Sequence, residues 1–471
     1  MNIFGKIANG LEHIGKNFTL EALSGGLDRE IEEVLKRHGK LSERQCKLTA
    51  KLMTWFVLVL PLRRGLSYPL LLEWILAGLS ARGAKIDFPA VEEGAVSHAR
   101  RRLGVGVLRD LFYETRADPC DLPKDFHGRT SLGMDGTTAT MPDTPENAEQ
   151  FGRPRSGRGR AGFPQVRLVA LVAAALHTVQ DVVFGPCRGK GTGERALGKQ
   201  LILKHAAPTL LFLMDMGFFG VLFLLQIREK GGDFIIPVPR GVKPKRIRNS
   251  TRQDGSYLAR IIASVKEPQP NGRNRWTSRE ITVRISEYRI RGFRPRRLAT
   301  SLFEAEISAR EIVLEYHIRW EVELVYDEIK THQCRRRTGQ CSTVLRSKQP
   351  DLVEQEIYAM VAIYNKLRSL ILEAAREKQI NPLTISFVEA MEVILNNVLL
   401  MASAEAHRLK DLYQAMLGRI AACKLRRTRR PRVYPRVVKV KMSNFKRKDP
   451  TQDVEVYRDL ASEIRILGEA A

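Results

Sequence analysis

The hydrophobic pattern of the chain changes character near residue 130. Before it, apolar positions fall on helical faces. Asp28–His38 reads as an amphipathic helix, Ser42 as the cap of a run reaching Leu60, and Tyr68–Leu79 as a further apolar helix, with Pro61 and Gly65 as punctuation. From Thr130 short apolar runs take over. Leu132 and Met134 lead into Asp135-Gly-Thr-Thr, a strand ending in an acid and a turn. Phe163–Ala174 and Val179–Phe184 read as two more strands and Gly191–His205 as a helix. Leu210–Met214 is a strand delivering Asp215, Gly217-Phe-Phe starts a helix, and Asp233–Val238 is a fifth strand. Arg240–Leu302 alternates (YLARIIASV, EITVRISEYRI) and reads as a β-rich insertion. Tyr316–Lys330 reads as a helix, and Asp351–Glu377, Ile385–Leu400 and Ser403–Ala422 as three more.

On a helix turning roughly 100° per residue, Tyr316, Arg319, Glu323 and Lys330 fall within about 60° of one another, while Ile318, Val322, Val325 and Ile329 gather opposite. One face is buried and the other carries a carboxylate, two cations and a phenol, a set suited to a metal ion beside a phosphate. Composition sharpens that reading. The net charge of +26 over 471 residues points to a polyanionic partner, DNA or RNA, against the blander alternative of a generally basic protein. The basic loop Arg153–Arg160 (RPRSGRGR), the patch Arg335-Arg336-Arg337 and the arm Lys424–Lys441 fit either a phosphate backbone or plain solvation. Six scattered cysteines without a C-x2-C pair or zinc spacing fit a reducing cytosol. The N-terminal segment lacks the long apolar run of a secretory signal. Pro208–Gln226 is nearly apolar enough to span a bilayer, but Asp215 and Gly217 inside it favour a strand, an acid and a helix.

The spacing Tyr-x2-Arg-x3-Glu-x6-Lys resembles the signature of the insertion-sequence-four family of DDE transposases, and the resemblance runs from Leu41 to Arg436. It implies an α/β fold: an RNase H-like core with a β-rich insertion, flanked by a helical N-terminal domain and a helical, basic C-terminal region. The expected division is an end-binding helical domain over 1–125, the core over 126–239 and 305–380, the insertion over 240–304, and the basic helical region over 381–471. The catalytic acids implied are Asp135, Asp215 and Glu323, also the ligands of two Mg²⁺ ions, with Mn²⁺ able to substitute. Tyr316, Arg319 and Lys330 would contact DNA phosphates at the cleavage point, with Arg335, Arg336 and Arg337 adding to the DNA surface. Trp276 would stack on an extruded base, the alternative being a packed core tryptophan.

This chain departs from the family pattern at Met216, where a cation often follows the second acid. Asp143 is the rival first acid. Asp327 is a candidate supporting acid paired with Lys330, whereas Glu321 and Glu328 point away from that face. The implied activity is cutting at the ends of an insertion element and joining 3′-ends to target DNA, through a hairpin if the family habit holds. The implied partners are terminal inverted repeats, target DNA and a second copy of the chain in a synaptic dimer. The implied place is the bacterial cytoplasm, at the nucleoid. The alternatives are a DNA-binding derivative that no longer cuts and an RNase H-like nuclease that cuts without joining; metal-dependent strand transfer separates the three.

Overall fold

The computed structural model describes residues 27–41, 48–80, 91–116, 122–156, 159–160, 162–268, 274–291, 293–334, 345–425 and 460–469. Ser42, Arg335, Arg336, Arg337 and most of the arm Lys424–Lys441 lie outside them. The chain divides into two compact units, one made of 1–118, 136–197 and 322–427, the other of 119–135, 198–321 and 428–471.

The first unit is built round the 28-residue helix Pro350–Glu377. Ile357, Ala362, Tyr364 and Ile371 on it are wholly buried, and helices Ala50–Val59, Val105–Glu114 and Leu409–Ala422 pack round it. A helix apolar on most sides belongs in a core, and each large side chain so covered contributes about 2 kcal/mol. Helix Ala50–Val59 begins at Thr49, whose hydroxyl accepts from the Leu52 amide at 3.2 Å. Residues 52–58 of that helix are all buried, so the start is set where packing begins. Arg100 is buried and satisfied. It donates to the Leu352 carbonyl at 2.9 Å, the Tyr68 hydroxyl at 3.1 Å and Gln355 Oε1 at 3.3 Å, which offsets the cost of removing its charge from water. In this unit the second half of strand β1 (Thr130–Thr140) lies beside β2 (Gln165–Ala173), which forms an antiparallel hairpin with β3 (Thr178–Pro186).

The second unit takes the first half of β1. It pairs in parallel with β4 (Leu210–Leu213), and β4 in parallel with β5 (Asp233–Pro237). The β-rich segment supplies β6 (Lys245–Arg246), β7 (Tyr257–Pro268), β8 (Asn274–Ile290) and β9 (Arg296–Thr300), joined antiparallel in the order β5-β9-β8-β7-β6. Along the chain, β1, β2, β3, helix Glu194–His205, β4, helix Val221–Glu229 and β5 follow in the RNase H-like order. The apolar stretch Pro208–Gln226 resolves into β4, a 3₁₀ turn over Met216–Phe218 and the start of a helix. Among the described residues no helix is long and apolar enough to cross a membrane. One element has no counterpart in the expected helical C-terminal region: Ile464–Ile466 forms a strand, β10, antiparallel to β8. Three residues of Ile-Arg-Ile are too short a pattern to register beside a helical prediction.

Candidate active site

Two of the expected acids are placed by strand register. Gly133 of β1 pairs with Leu213 of β4 in parallel. Asp135 and Asp215 each come two residues later, so they emerge side by side where β4 ends and β1 runs on, the usual place for ligands at the carboxyl ends of parallel strands. Asp215 is extended (φ −74°, ψ 158°), and the Phe218 amide donates to its carbonyl at 3.0 Å to close the 3₁₀ turn. Asp215 is exposed and Asp135 half-buried. Beneath them Gly198 leaves room for the side chains that set both acids. A Cβ there would come within 2.9 Å of Met134 Cε and would also collide with the Phe218 ring. Gly198→Ala is therefore expected to cost about 1–3 kcal/mol of stability by overpacking. It should also lower DNA cleavage more than tenfold; a thermal melt and a cleavage time course on the same preparation check both.

Helix Ala309–Ile318 brings Tyr316 and Arg319 to the two aspartates. Ser308 and Glu311 form a capping box at its start, with the Glu311 amide donating to the Ser308 hydroxyl at 3.2 Å and the Ser308 amide to Glu311 Oε2 at 2.8 Å. At its end Arg319 Nη1 stands 3.9 Å from Asp135 Oδ2. Burial pushes the Tyr316 phenol far above its ordinary range; the Asp215 charge adds to this and Arg319 opposes it. Next to it, burial lowers His317 to about 4, helped by Arg296 and Arg319, so its ring is neutral at neutral pH.

Glu315, one residue before Tyr316, is buried and accepts a hydrogen bond from the Ser131 hydroxyl. Burial raises its carboxyl from 4.5 to about 7. The folded chain thus holds this proton more tightly than the unfolded chain. Its stabilisation is full below the unfolded value and is lost as pH rises through about 7. Glu315→Gln should remove a penalty on the order of 3 kcal/mol above neutrality. Melting curves should show the variant's advantage growing between about pH 5 and about pH 8.

The expected single helix Tyr316–Lys330 is not one. Helix Ala309–Ile318 ends at Arg319, a new helix runs over Glu321–Asp327, and a π-helical turn follows over Glu328–Gln333. A wheel of constant 100° steps therefore does not describe this stretch, although Val322, Val325 and Ile329 are buried as expected. The physical reason for the π turn lies under it. Glu328 is buried, bonded to Arg368 and accepting from the Tyr364 hydroxyl at 2.6 Å, with His177 Nδ1 at 3.3 Å. π turns gather at functional sites.

Glu323 lies half-buried on the helix Glu321–Asp327. Lys330, in the π turn, donates to Thr137 Oγ1 at 2.7 Å and the Thr138 carbonyl at 3.3 Å, and burial lowers its pKa. Its ammonium thus grips the strand two residues beyond Asp135. The suggested Lys330–Asp327 pair is replaced by these bonds, and Asp327 lies instead 3.4 Å from His332. Asp143 sits in a loop and pairs with Arg153. Trp276 is 63 % exposed, with Lys266 Nζ 5.1 Å above its ring, so it is no core residue. Thr137 and Thr138 stood in the sequence only as the residues following Asp135-Gly, with no sign that they would meet Lys330. Arg368 and His177 were not singled out; Arg368 carried the one signal, a charge within an apolar helical run.

Among the described residues no group of three or more His, Cys, Asp and Glu side chains is assembled to hold a metal ion. Asp135 and Asp215 nevertheless supply the hard oxygen donors that a small divalent cation prefers. Mg²⁺ usually takes one or two carboxylates, several waters and substrate phosphate oxygens. The pair fits such an ion.

The transposase DDE domain family matches residues 127–366, and the insertion element 4 transposase N-terminal family matches 18–113. The transposase InsG for insertion sequence element IS4 of Escherichia coli (strain K12) is 30% identical over 434 residues, covering 89% of this chain and 92% of its own. Among solved structures, a piggyBac transposase synaptic complex with hairpin DNA covers 88% of this chain and 85% of its own at 11% identity and a TM-score of 0.40. That likeness is too distant to bear on the site or its substrate.

Proposed function

The chain belongs to the insertion element 4 family of DDE transposases, and we propose that Asp135, Asp215 and Glu323 are the carboxylates with which it cuts and joins DNA. It is an insertion-sequence transposase, a metal-dependent enzyme acting on DNA. The observation that carries the assignment is the level placement of Asp135 and Asp215 on neighbouring parallel strands, with Arg319 3.9 Å from the first. A bound divalent metal supplies activation of the attacking water or 3′-hydroxyl and neutralises charge on the leaving oxygen. Asp135 and Asp215 would hold the metal, with Glu323 as the third carboxylate. Mg²⁺ is the ion that suits this oxygen-only donor set, with Mn²⁺ as substitute.

Arg319 presents a planar guanidinium that can grip a phosphate with two bonds, which lysine cannot. Tyr316 stays protonated and can donate to a phosphate oxygen. Lys330 acts one step removed, steadying the strand that carries Asp135. Trp276, exposed on the β7–β8 ribbon, offers a face for an unstacked base. The DNA partners are the terminal repeats and the target, held by two copies of the chain in a synaptic complex.

The experiment is a joining assay with purified protein, linear DNA carrying the element's ends and a plasmid target. Joined products with Mg²⁺, and none with EDTA, are expected. Cutting without joining would leave a nuclease, and binding without cutting would leave a DNA-binding derivative.

A further inference from the structure

We propose that the C-terminal strand β10 is a strap that fixes the helix bearing Tyr316 and Arg319. This rests on the reading of those two residues as phosphate contacts. Four observations in the second unit converge on it. First, β8 outlasts its partner β7: their pairing stops at Ile285↔Tyr257, and β10 takes over the edge with Tyr288↔Ile466 and Ile290↔Ile464. The Leu467 amide extends the ladder to the Glu287 carbonyl at 2.8 Å. Second, Arg310, on the helix itself, reaches out to the C-terminal segment. It donates to the Ile464 carbonyl at 3.4 Å and to that of Ala461. Third, Ile464 and Ile466 are buried in the same apolar cluster as Ile312, Val313 and Tyr316. Fourth, the chain after β10 is pressed onto the turn at Gly255, where a Cβ would lie 2.5 Å from the Glu469 amide and 2.7 Å from the Leu467 carbonyl oxygen. Asp254, its neighbour, accepts from the Ala309 amide at 2.6 Å and so holds the start of the same helix.

A ten-residue helix has little stability of its own and keeps its place through its packed face. Here part of that packed face is the C-terminal strand. Its loss would loosen the helix, and Arg319 with it, while the first unit is left as it was. A misplacement of about 1 Å at a catalytic group can cost about a hundredfold in rate, so the strap is a positioning element for the reaction although it touches no reacting atom.

The test uses the full chain with Ile464→Asp/Ile466→Asp, the conservative Ile464→Val/Ile466→Val, and Arg310→Gln as a milder cut. Each is labelled with 5-fluorotryptophan, the Trp320 resonance being assigned by Trp320→Phe. The aspartate pair should shift or broaden the Trp320 ¹⁹F signal and leave those of Trp55 and Trp74 in place. Joining should fall more than tenfold with end-binding affinity within about twofold. The valine pair should restore both signal and joining, and Arg310→Gln should fall between. An unmoved Trp320 signal in the aspartate pair overturns the strap, as does loss of all four signals together. If Arg319→Ala joins DNA at the wild-type rate, the phosphate reading fails separately, and the Trp320 signal alone then decides the strap.

Discussion

Cleavage at the element's ends should fall on the order of 10³-fold or more when Asp135, Asp215 or Glu323 is replaced singly by alanine, a loss of about 4 kcal/mol of transition-state stabilisation. Binding to the same ends should stay near wild type. The two effects separate because the groups do different work. Affinity for DNA comes chiefly from cations neutralising phosphates, and the chain carries 78 lysines and arginines against 52 acids. Removing one carboxylate leaves those cations untouched and even lessens local repulsion of the phosphates. The carboxylates act where charge develops during phosphodiester displacement, and their loss is felt in the rate. Single-turnover cleavage and a gel-shift titration on each variant check the two halves. A variant at any of the three positions that keeps more than about a tenth of the wild-type rate would remove that residue from the set.

The second large effect concerns stability. Arg368 and Glu328 form a buried ion pair joined by the Tyr364 hydroxyl, with His177 Nδ1 2.9 Å from Arg368 Nη2. Arg368 is wholly buried and Glu328 nearly so. Breaking a buried pair from one side strands the other charge in a low-dielectric interior, which costs about 3–5 kcal/mol. Arg368→Met should therefore destabilise the first unit by that amount and loosen the π turn carrying Lys330. Adding Glu328→Gln removes the stranded charge and should recover about half or more of the loss. Denaturant unfolding of the two single variants and the double variant measures the coupling. Losses that simply add would mean that the pair does not act as a unit.

Much of the core was legible because its signals are local. An apolar run leading into an acid marks a buried strand at Leu132–Asp135 and again at Leu210–Asp215, but the turn expected after Asp135 is absent: β1 runs on through Gly136 to Thr140. The register that sets the two acids level, Gly133 against Leu213, pairs distant segments and was not legible in the local pattern. The break after Ile318 was not legible. Arg319 and Trp320 are neither helix breakers nor caps, and the new start at Glu321 answers to packing. Nor was the π turn, since Glu328 meets partners 36, 40 and 151 residues away. The bonds of Lys330 were hidden for the same reason: a helix wheel shows which face a lysine is on, and not that Thr137, 193 residues off, offers it a hydroxyl. Among the described residues the second helix begins at Thr49, where the buried run Leu52–Leu58 starts; the expected cap Ser42 lies outside them.

The most direct measurement is strand transfer by Glu323→Ala beside wild type, with Mg²⁺, pre-cut element ends and a plasmid target. Glu323 is the acid whose place in the set the sequence motif supports most and strand register least. The account predicts joined product from wild type and none from the variant, with both proteins bound to the ends equally. Mg²⁺-dependent joining by Glu323→Ala at a rate near wild type would contradict it.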